Sequence, residues 1–320
     1  MNKTDFIFVT GHTGLLGSAI VRELTVQGYT NVMKRKHSDL DFIDQRATME
    51  FFDKERPDYV FHCAGKIGGI TATSTAHADF LYENLMIATN VIHAAYKAGV
   101  KKMIVPGSVC CFPKECPVPI KETYALTGAF EPTCEGYAVA KMTAQMLIKH
   151  YNEQYGTDFL TVNLCNLYGV GDNLDSSKNH VIPALLEKFH LAKRDRKQYI
   201  TLLGTGEAKR EFLYADDAAK GIIRLMTCAY ASTYLNSVVN LGSSEIHSIK
   251  ELAEIVRKVV GFPGAVFFDG DASKNGALAR QLDMAKMKAV IDFNPAVTLE
   301  EGIKRMYEWY CSTKYVLPQY

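Results

Sequence analysis

Three side chains near the middle of the chain have the types and spacing for proton transfer to a carbonyl oxygen: Ser108, Tyr137 and Lys141. Tyr137 and Lys141 stand four apart in "GYAVAK", which puts both on one helix face with the ammonium near the phenol. A cation there favours the phenolate and is expected to draw the tyrosine down from about 10 towards the working pH. Such a tyrosine gives a proton to a carbonyl oxygen as hydride reaches the carbon, or reverses both steps. Ser108 ends the apolar run "KKMIVPGS", placed to hydrogen-bond the same oxygen. Just past it, "GSVCCFPK" sets two thiols side by side, Cys110 and Cys111. Neighbours on a strand face opposite sides, so the parity shared with Ser108 selects Cys110, although Pro113 limits how far a strand can continue.

Hydride chemistry needs a carrier, and "GHTGLLG" offers a place for one. Gly11, Gly14 and Gly17 follow the first strand-like run and open a helix, with Leu15 and Leu16 between them. Glycines let the backbone turn tightly against a pyrophosphate, whose charge is favoured at a helix N-terminus. Gly11, Gly14, Leu15, Leu16 and Gly17 are therefore the expected cofactor contacts, joined by Lys141. The end of the second strand reads "KRKH", with Arg35 and Lys36 ahead of the first carboxylate, Asp39. Cations there accommodate the extra phosphate of NADP, where an acidic residue would hold the ribose of NAD. NADP is the expected cofactor.

These groups must be positioned by elements, and the first half alternates strands with helices. Apolar or β-branched runs at 5–10, 31–36, 58–64, 101–108 and 159–165 read as strands. Amphipathic stretches at 18–28, 46–55, 79–99 and 136–155 read as helices. Near-continuous apolar strands separated by helices mean a parallel sheet covered on both faces. The fold class is α/β: a Rossmann-type doubly wound parallel sheet with a smaller α/β substrate-binding lobe. Residues 1–169 are expected to form the NADP-binding domain, with 215–242 returning to it. Residues 170–214 and 243–320 are expected to form the lobe. Within it, Ser248 and Glu251 have the spacing of a helix capping box.

Composition narrows the partners. The 320 residues are 48% hydrophobic and carry a formal net charge of +1, enough for a large core and too little positive charge for nucleic acid or an anionic membrane as main partner. No apolar run approaches the roughly 20 residues of a membrane span, and the first strand begins almost at once, so a cytoplasmic protein is expected. The 8 cysteines lack metal-ligand spacing, which points to reduced thiols and no metal.

The motifs "GHTGLLGSAI", "KIGGI", "GSVCCFPK", "EPTCEGYAVAK", "NLYGVGDN", "NHVIPALL" and "GTGEAKREFLYADD" run through nearly the whole chain. On them the chain resembles the extended short-chain dehydrogenase/reductase family, in its GDP-L-fucose synthase branch. The resemblance implies an NADPH-dependent 3,5-epimerase and 4-ketoreductase that takes GDP-4-keto-6-deoxy-D-mannose to GDP-L-fucose. It implies Cys110 as the base that removes a proton beside the ketone, and His180 as the acid on the opposite face of the sugar. Ser108, Tyr137 and Lys141 then serve the reduction. Asn166, Lys188, Arg210 and Arg280 are the implied contacts for the GDP-sugar. A homodimer is implied too, through a four-helix bundle of the helix near 83–99 and the helix that carries Tyr137. Many members have arginine in the glycine loop where this chain has Thr13, and tryptophan where it has Leu203. A GDP-4-keto-6-deoxy-heptose substrate, or GDP-mannose 3,5-epimerisation, stands as the alternative.

Overall fold

The computed structural model describes residues 1–174, 180–228 and 236–314. Asn179 of the "NHVIPALL" motif lies outside them. In the first half the elements are β1 (Ile7–Thr10), α1 (Leu15–Val26), β2 (Val32–Met33), α2 (Gln45–Glu55), β3 (Tyr59–His62), α3 (Ile70–Thr75), α4 (His77–Lys97), β4 (Lys102–Ser108), α5 (Glu135–Tyr155) and β5 (Phe159–Leu164). The second half holds β6 (Asn166–Tyr168), α6 (Val181–Arg194), β7 (Tyr199–Leu202), β8 (Lys209–Tyr214), α7 (Ala215–Thr227), β9 (Val238–Leu241) and β10 (Ile246–Ser248). It continues with α8 (Ile249–Val260), β11 (Ala265–Phe268), β12 (Ala279–Arg280), α9 (Ala285–Val290) and α10 (Leu299–Lys314).

A 6-stranded sheet in the order β2-β1-β3-β4-β5-β9 forms the main body, and every adjacent pair is parallel. All six residues of β5 are buried, as a strand covered on both faces must be. On one face Ile20 and Leu24 of α1 share a core with Ile222 and Leu225 of α7. On the other, Phe52 of α2, Ile92 of α4 and Ile148 of α5 pack against β1, β3 and β4. Strand order reverses between β1 and β3, so ligands are expected beyond the C-terminal ends of these strands.

The second strand is shorter than the apolar reading of 31–36 anticipated: only Val32 and Met33 pair with β1. It is an edge strand with one partner, and the charged run after it turns away, with Asp39 N and Leu40 N bonding back to Lys36 O.

The chain leaves the main sheet at Cys165, and Asn166 already pairs with Phe212 of β8. β8 also pairs with β10 and β12, giving the smaller lobe its sheet. Leu186 of α6, Leu252 and Val256 of α8 and Ile303 of α10 make the core of that lobe. The capping box at α8 is present: Ser248 Oγ accepts from Glu251 N at 3.1 Å, and Ser248 N donates to Glu251 Oε2 at 2.7 Å. Between β12 and α10 the chain returns to the main body, where Leu282, Met284, Met287 and Phe293 join the core beneath α7. Among the described residues, no helix is long and apolar enough to cross a membrane.

Candidate active site

At the nucleotide end, the loop after β1 is built for close backbone approach. Gly11 has φ +62°, and a Cβ there would lie 2.7 Å from backbone atoms of Cys63 and Ala64. A Cβ at Gly17 would strike the Gly11 carbonyl. Gly14 is the N-cap of α1 and supplies no side-chain bond, so the helix opens at Leu15 and Leu16 with no side chain over its first N–H groups. The His12 ring bonds to the Arg35 backbone, which ties the loop to the end of β2; its Nδ1 is buried without a partner. Burial first, and Lys34 and Lys36 after it, hold its pKa below the usual value. A cradle that a Cβ would fill, an uncapped helix and an orphaned nitrogen beside cations fit a phosphorylated dinucleotide. Lys36 is exposed, while Arg35 lies over the Phe51 ring and pairs with Glu55 at 3.6 Å.

At the end of β4 the backbone does something the alternation of a strand does not anticipate. Val109–Cys111 is a 3-10 turn, N-capped by Ser108, whose Oγ accepts from Cys110 N at 3.2 Å. The parity argument for Cys110 therefore does not apply beyond Ser108; the turn separates the two thiols instead. Cys111 is fully buried, with its Sγ 4.0 Å from Ala138 O, and burial pushes it up to about 12. Cys110 is half-buried and is held well below the usual thiol range. The leading cause is a hydrogen bond from the Cys134 thiol; the Ser108 hydroxyl and the charges of Arg280 and Arg210 add to it, against burial. Cys134 moves the other way, raised by the same contact.

Tyr137 hydrogen-bonds Ser108, which brings phenol and hydroxyl to one point. Its pKa is raised, first by burial and then by the neighbouring Cys110 charge. The expected lowering by Lys141 is corrected here. The Lys141 ammonium donates to Pro106 O at 3.1 Å and sits 5.8 Å from the Tyr137 ring centroid, and burial of the phenol outweighs any lowering by its charge. Tyr137 is thus a protonated acid.

From the lobe, His180 is the N-cap of α6, half-buried, with burial holding its pKa below the usual value. Arg210 and Arg280 are direct partners in the β8–β12 register and so share one face of that sheet. Arg210 donates to Ala277 O at 2.7 Å and Asn275 O at 2.9 Å. Arg280 is only 8% exposed, donates weakly to Lys114 O at 3.4 Å, and keeps Nη1 without a partner. Asn166 is turned to the backbone, its Nδ2 donating to Glu211 O at 2.9 Å. Lys188 stands apart from the thiols: its ammonium bonds Thr201 O at 2.6 Å, in an open cleft of about 260 Å³ shared with Lys197 and Tyr199.

Ser108 and Cys110 meet at the end of β4, Arg210 and Arg280 pair on the β8–β12 face, and the charges of both arginines favour the Cys110 thiolate. Cys134 and His12 were missed from the sequence. The available signals were the cysteine just ahead of the Tyr137 helix in "EPTC" and the histidine inside the glycine loop. Together the groups can remove a proton beside a carbonyl and protonate its oxygen.

Residues 7–242 match the model of the NAD dependent epimerase/dehydratase family. The chain is 42% identical over 309 residues to a GDP-L-fucose synthase of Arabidopsis thaliana, covering 97% of this chain and 94% of that one. It is 40% identical over 310 residues to the GDP-L-fucose synthase of Escherichia coli, covering 95% of this chain and 96% of the relative. Among solved structures, a GDP-D-glycero-L-gluco-heptose synthase of Campylobacter jejuni, crystallised in the presence of NADPH, superposes with TM-score 0.90. It is 34% identical, over 97% of this chain and 99% of that one.

Proposed function

The chain belongs to the NAD dependent epimerase/dehydratase family, and we propose that within it the protein converts GDP-4-keto-6-deoxy-D-mannose to GDP-L-fucose by 3,5-epimerisation and NADPH-dependent reduction of the 4-ketone. The observation that carries this reading is the turn at the end of β4, where Ser108 caps Cys110 N at 3.2 Å, with the Cys110 thiol held below its usual range and the Tyr137 phenol above its own. A ketone at sugar carbon 4 acidifies the protons at C3 and C5. Cys110 takes such a proton, while Ser108 and Tyr137 donate hydrogen bonds to the oxygen on which charge develops. His180 returns a proton from the opposite face, a task suited to a group that titrates near neutrality. After both centres are inverted, Tyr137 gives its phenolic proton to the C4 oxygen. NADPH, when bound along the glycine loop, supplies the hydride for that step. Lys141 holds the Tyr137 helix to β4 through Pro106 O. Arg210 and Arg280 present positive charge for the diphosphate, and Lys188 lies farther out along the nucleotide. Asn166, its amide bound to Glu211 O, is given no ligand contact.

The test is NADPH absorbance on mixing protein with GDP-4-keto-6-deoxy-D-mannose, with NADH alongside and the product identified by NMR. Oxidation of NADPH in preference to NADH, with GDP-L-fucose formed, is the expected result. A folded protein that binds NADPH yet leaves it unoxidised would refute the reading. The similarity to a heptose synthase makes a GDP-4-keto-6-deoxy-heptose the second substrate to offer.

A second copy of the chain is proposed to pack on α4 and α5. Their outer face carries an aromatic cluster in which Tyr96 stacks on Tyr155 at 4.4 Å and Tyr155 stays 46% exposed. Sedimentation should give the mass of two chains; the mass of one would end this proposal.

A further inference from the structure

We propose that Glu211 is a positioning residue for the diphosphate of the substrate: its buried carboxylate, helped by Gln281, ties together the segments that cross between the two sheets and so fixes where Arg280 stands. The inference rests on the reading of Arg210 and Arg280 as the seat of the diphosphate, and adds a residue that itself touches no ligand.

Successive residues of a strand point to opposite faces, so Arg210 and Glu211 leave β8 on opposite sides. Arg210 shares its face with Arg280, its partner in the β8–β12 register. Glu211 turns the other way and is 1% exposed. Each carboxylate oxygen accepts a backbone N–H there: Oε1 from Ser244 at 2.7 Å and Oε2 from Leu282 at 2.8 Å. The two donors come from different crossings. Ser244 lies where the chain passes from β9 of the main sheet to β10 of the lobe, and Leu282 where it returns from β12 to the main body. Gln281 closes the node, its Nε2 donating to Ser244 O at 3.0 Å. A third crossing, from β5 to β6, reaches the same residue, since Asn166 Nδ2 donates to Glu211 O at 2.9 Å.

The backbone is shaped around this carboxylate. A Cβ at Gly242 would lie 2.2 Å from Oε1, so glycine is what lets the loop after β9 come this close. Ser244 has φ +65°, a left-handed conformation uncommon for a residue with a side chain. Two donors facing two oxygens call for the ionised carboxylate, which only accepts. An amide in its place would turn an N–H towards one of those donors and leave it buried without a partner. Leu282 stands two residues beyond Arg280, whose guanidinium is itself buried with Nη1 unpartnered. A shift of Leu282 therefore reaches Arg280 through a single intervening residue. The glycine loop after β1 takes part in none of these bonds, so cofactor binding should be indifferent to them.

The experiment reads two affinities on the full chain, GDP by titration calorimetry and NADPH by its fluorescence, in the wild type, Glu211→Gln and Gln281→Ala. Glu211→Gln should weaken GDP by about tenfold, the scale of one misplaced charged contact, and leave NADPH within about twofold. KM for the GDP-sugar should rise with the GDP dissociation constant while kcat changes little. Gln281→Ala removes a half-buried amide and should weaken GDP by about threefold. Unchanged GDP affinity in a folded Glu211→Gln overturns the proposal and leaves the arginines as the diphosphate seat. Equal weakening of GDP and NADPH also overturns it, because general loosening of the fold acts on both. If circular dichroism shows Glu211→Gln unfolded, Gln281→Ala decides by the same two criteria. A wild type that binds NADPH but no GDP overturns the diphosphate seat itself, and the proposal with it.

Discussion

Replacing Cys110 by serine is expected to abolish exchange of the sugar C3 and C5 protons with solvent while sparing reduction of a ketone already epimerised. The substitution keeps size and polarity but replaces a thiol held below its usual range with a hydroxyl that stays protonated at any working pH. Loss of a positioned general base costs about 10²–10⁴-fold, and exchange should fall by that factor. Reduction draws its proton from Tyr137, which the substitution leaves in place, and should change by no more than a few-fold. The pH dependence carries a further sign. A depressed thiol is deprotonated above its own pKa, so wild-type exchange should persist below about pH 8.5, where an ordinary thiol is protonated, and decline only as Cys110 takes up its proton at more acid pH. Deuterium incorporation followed by NMR in heavy water reads both effects. Unaltered incorporation in Cys110→Ser would remove the thiol from the mechanism.

Tyr137→Phe should give the opposite pattern: proton exchange within a few-fold of wild type, and NADPH oxidation reduced by about 10²–10⁴-fold. Burial and the adjacent Cys110 charge hold the phenol protonated, so it acts as the acid that completes the alcohol at carbon 4. Phenylalanine fills the same space against Phe80, whose ring meets that of Tyr137 edge-on at 6.5 Å, and the fold is expected to survive. Because the tyrosine stays protonated throughout the neutral range, wild-type reduction should show no gain or loss there that tracks phenol ionisation. Single-turnover oxidation of NADPH with a pre-epimerised ketone isolates this step from epimerisation. Normal oxidation in Tyr137→Phe would assign the proton to another donor, with Ser108 next in line through its bond to the same phenol.

The order of these events follows from electrostatics as much as from position. A thiolate beside Tyr137 raises the phenol and keeps it acidic in role, while the same phenol, remaining neutral, places no competing charge on Cys110. Under the proposed roles, base and acid differ in protonation though they are neighbours, the separation that epimerisation followed by reduction requires.

Much of this was written in the sequence by itself. The strands at β1, β3, β4 and β5 were legible because strands covered on both faces are mostly apolar, with few exceptions such as Thr161 and Asn163, and the glycine loop because its backbone tolerates no Cβ at Gly11 or Gly17. Ser108, Tyr137 and Lys141 were legible because strand ends and helical spacing are local. The separation of Cys110 from Cys111 had to wait for the tertiary structure, since a 3-10 turn, not strand alternation, leaves Cys110 half-buried and puts Cys111 under Ala138. Arg280 acquires its place beside Arg210 from the β8–β12 register, a pairing of residues 70 apart in the chain that no local pattern encodes. Lys141 was expected to lower the phenol, but burial of Tyr137 prevails, and the ammonium binds the Pro106 carbonyl. Cys134 is visible as a letter in "EPTC", yet its influence on Cys110 exists only because both turns pack on α5. Local geometry is carried by spacing and polarity; the protonation state of a site is set by neighbours from distant segments, which only the folded chain brings together.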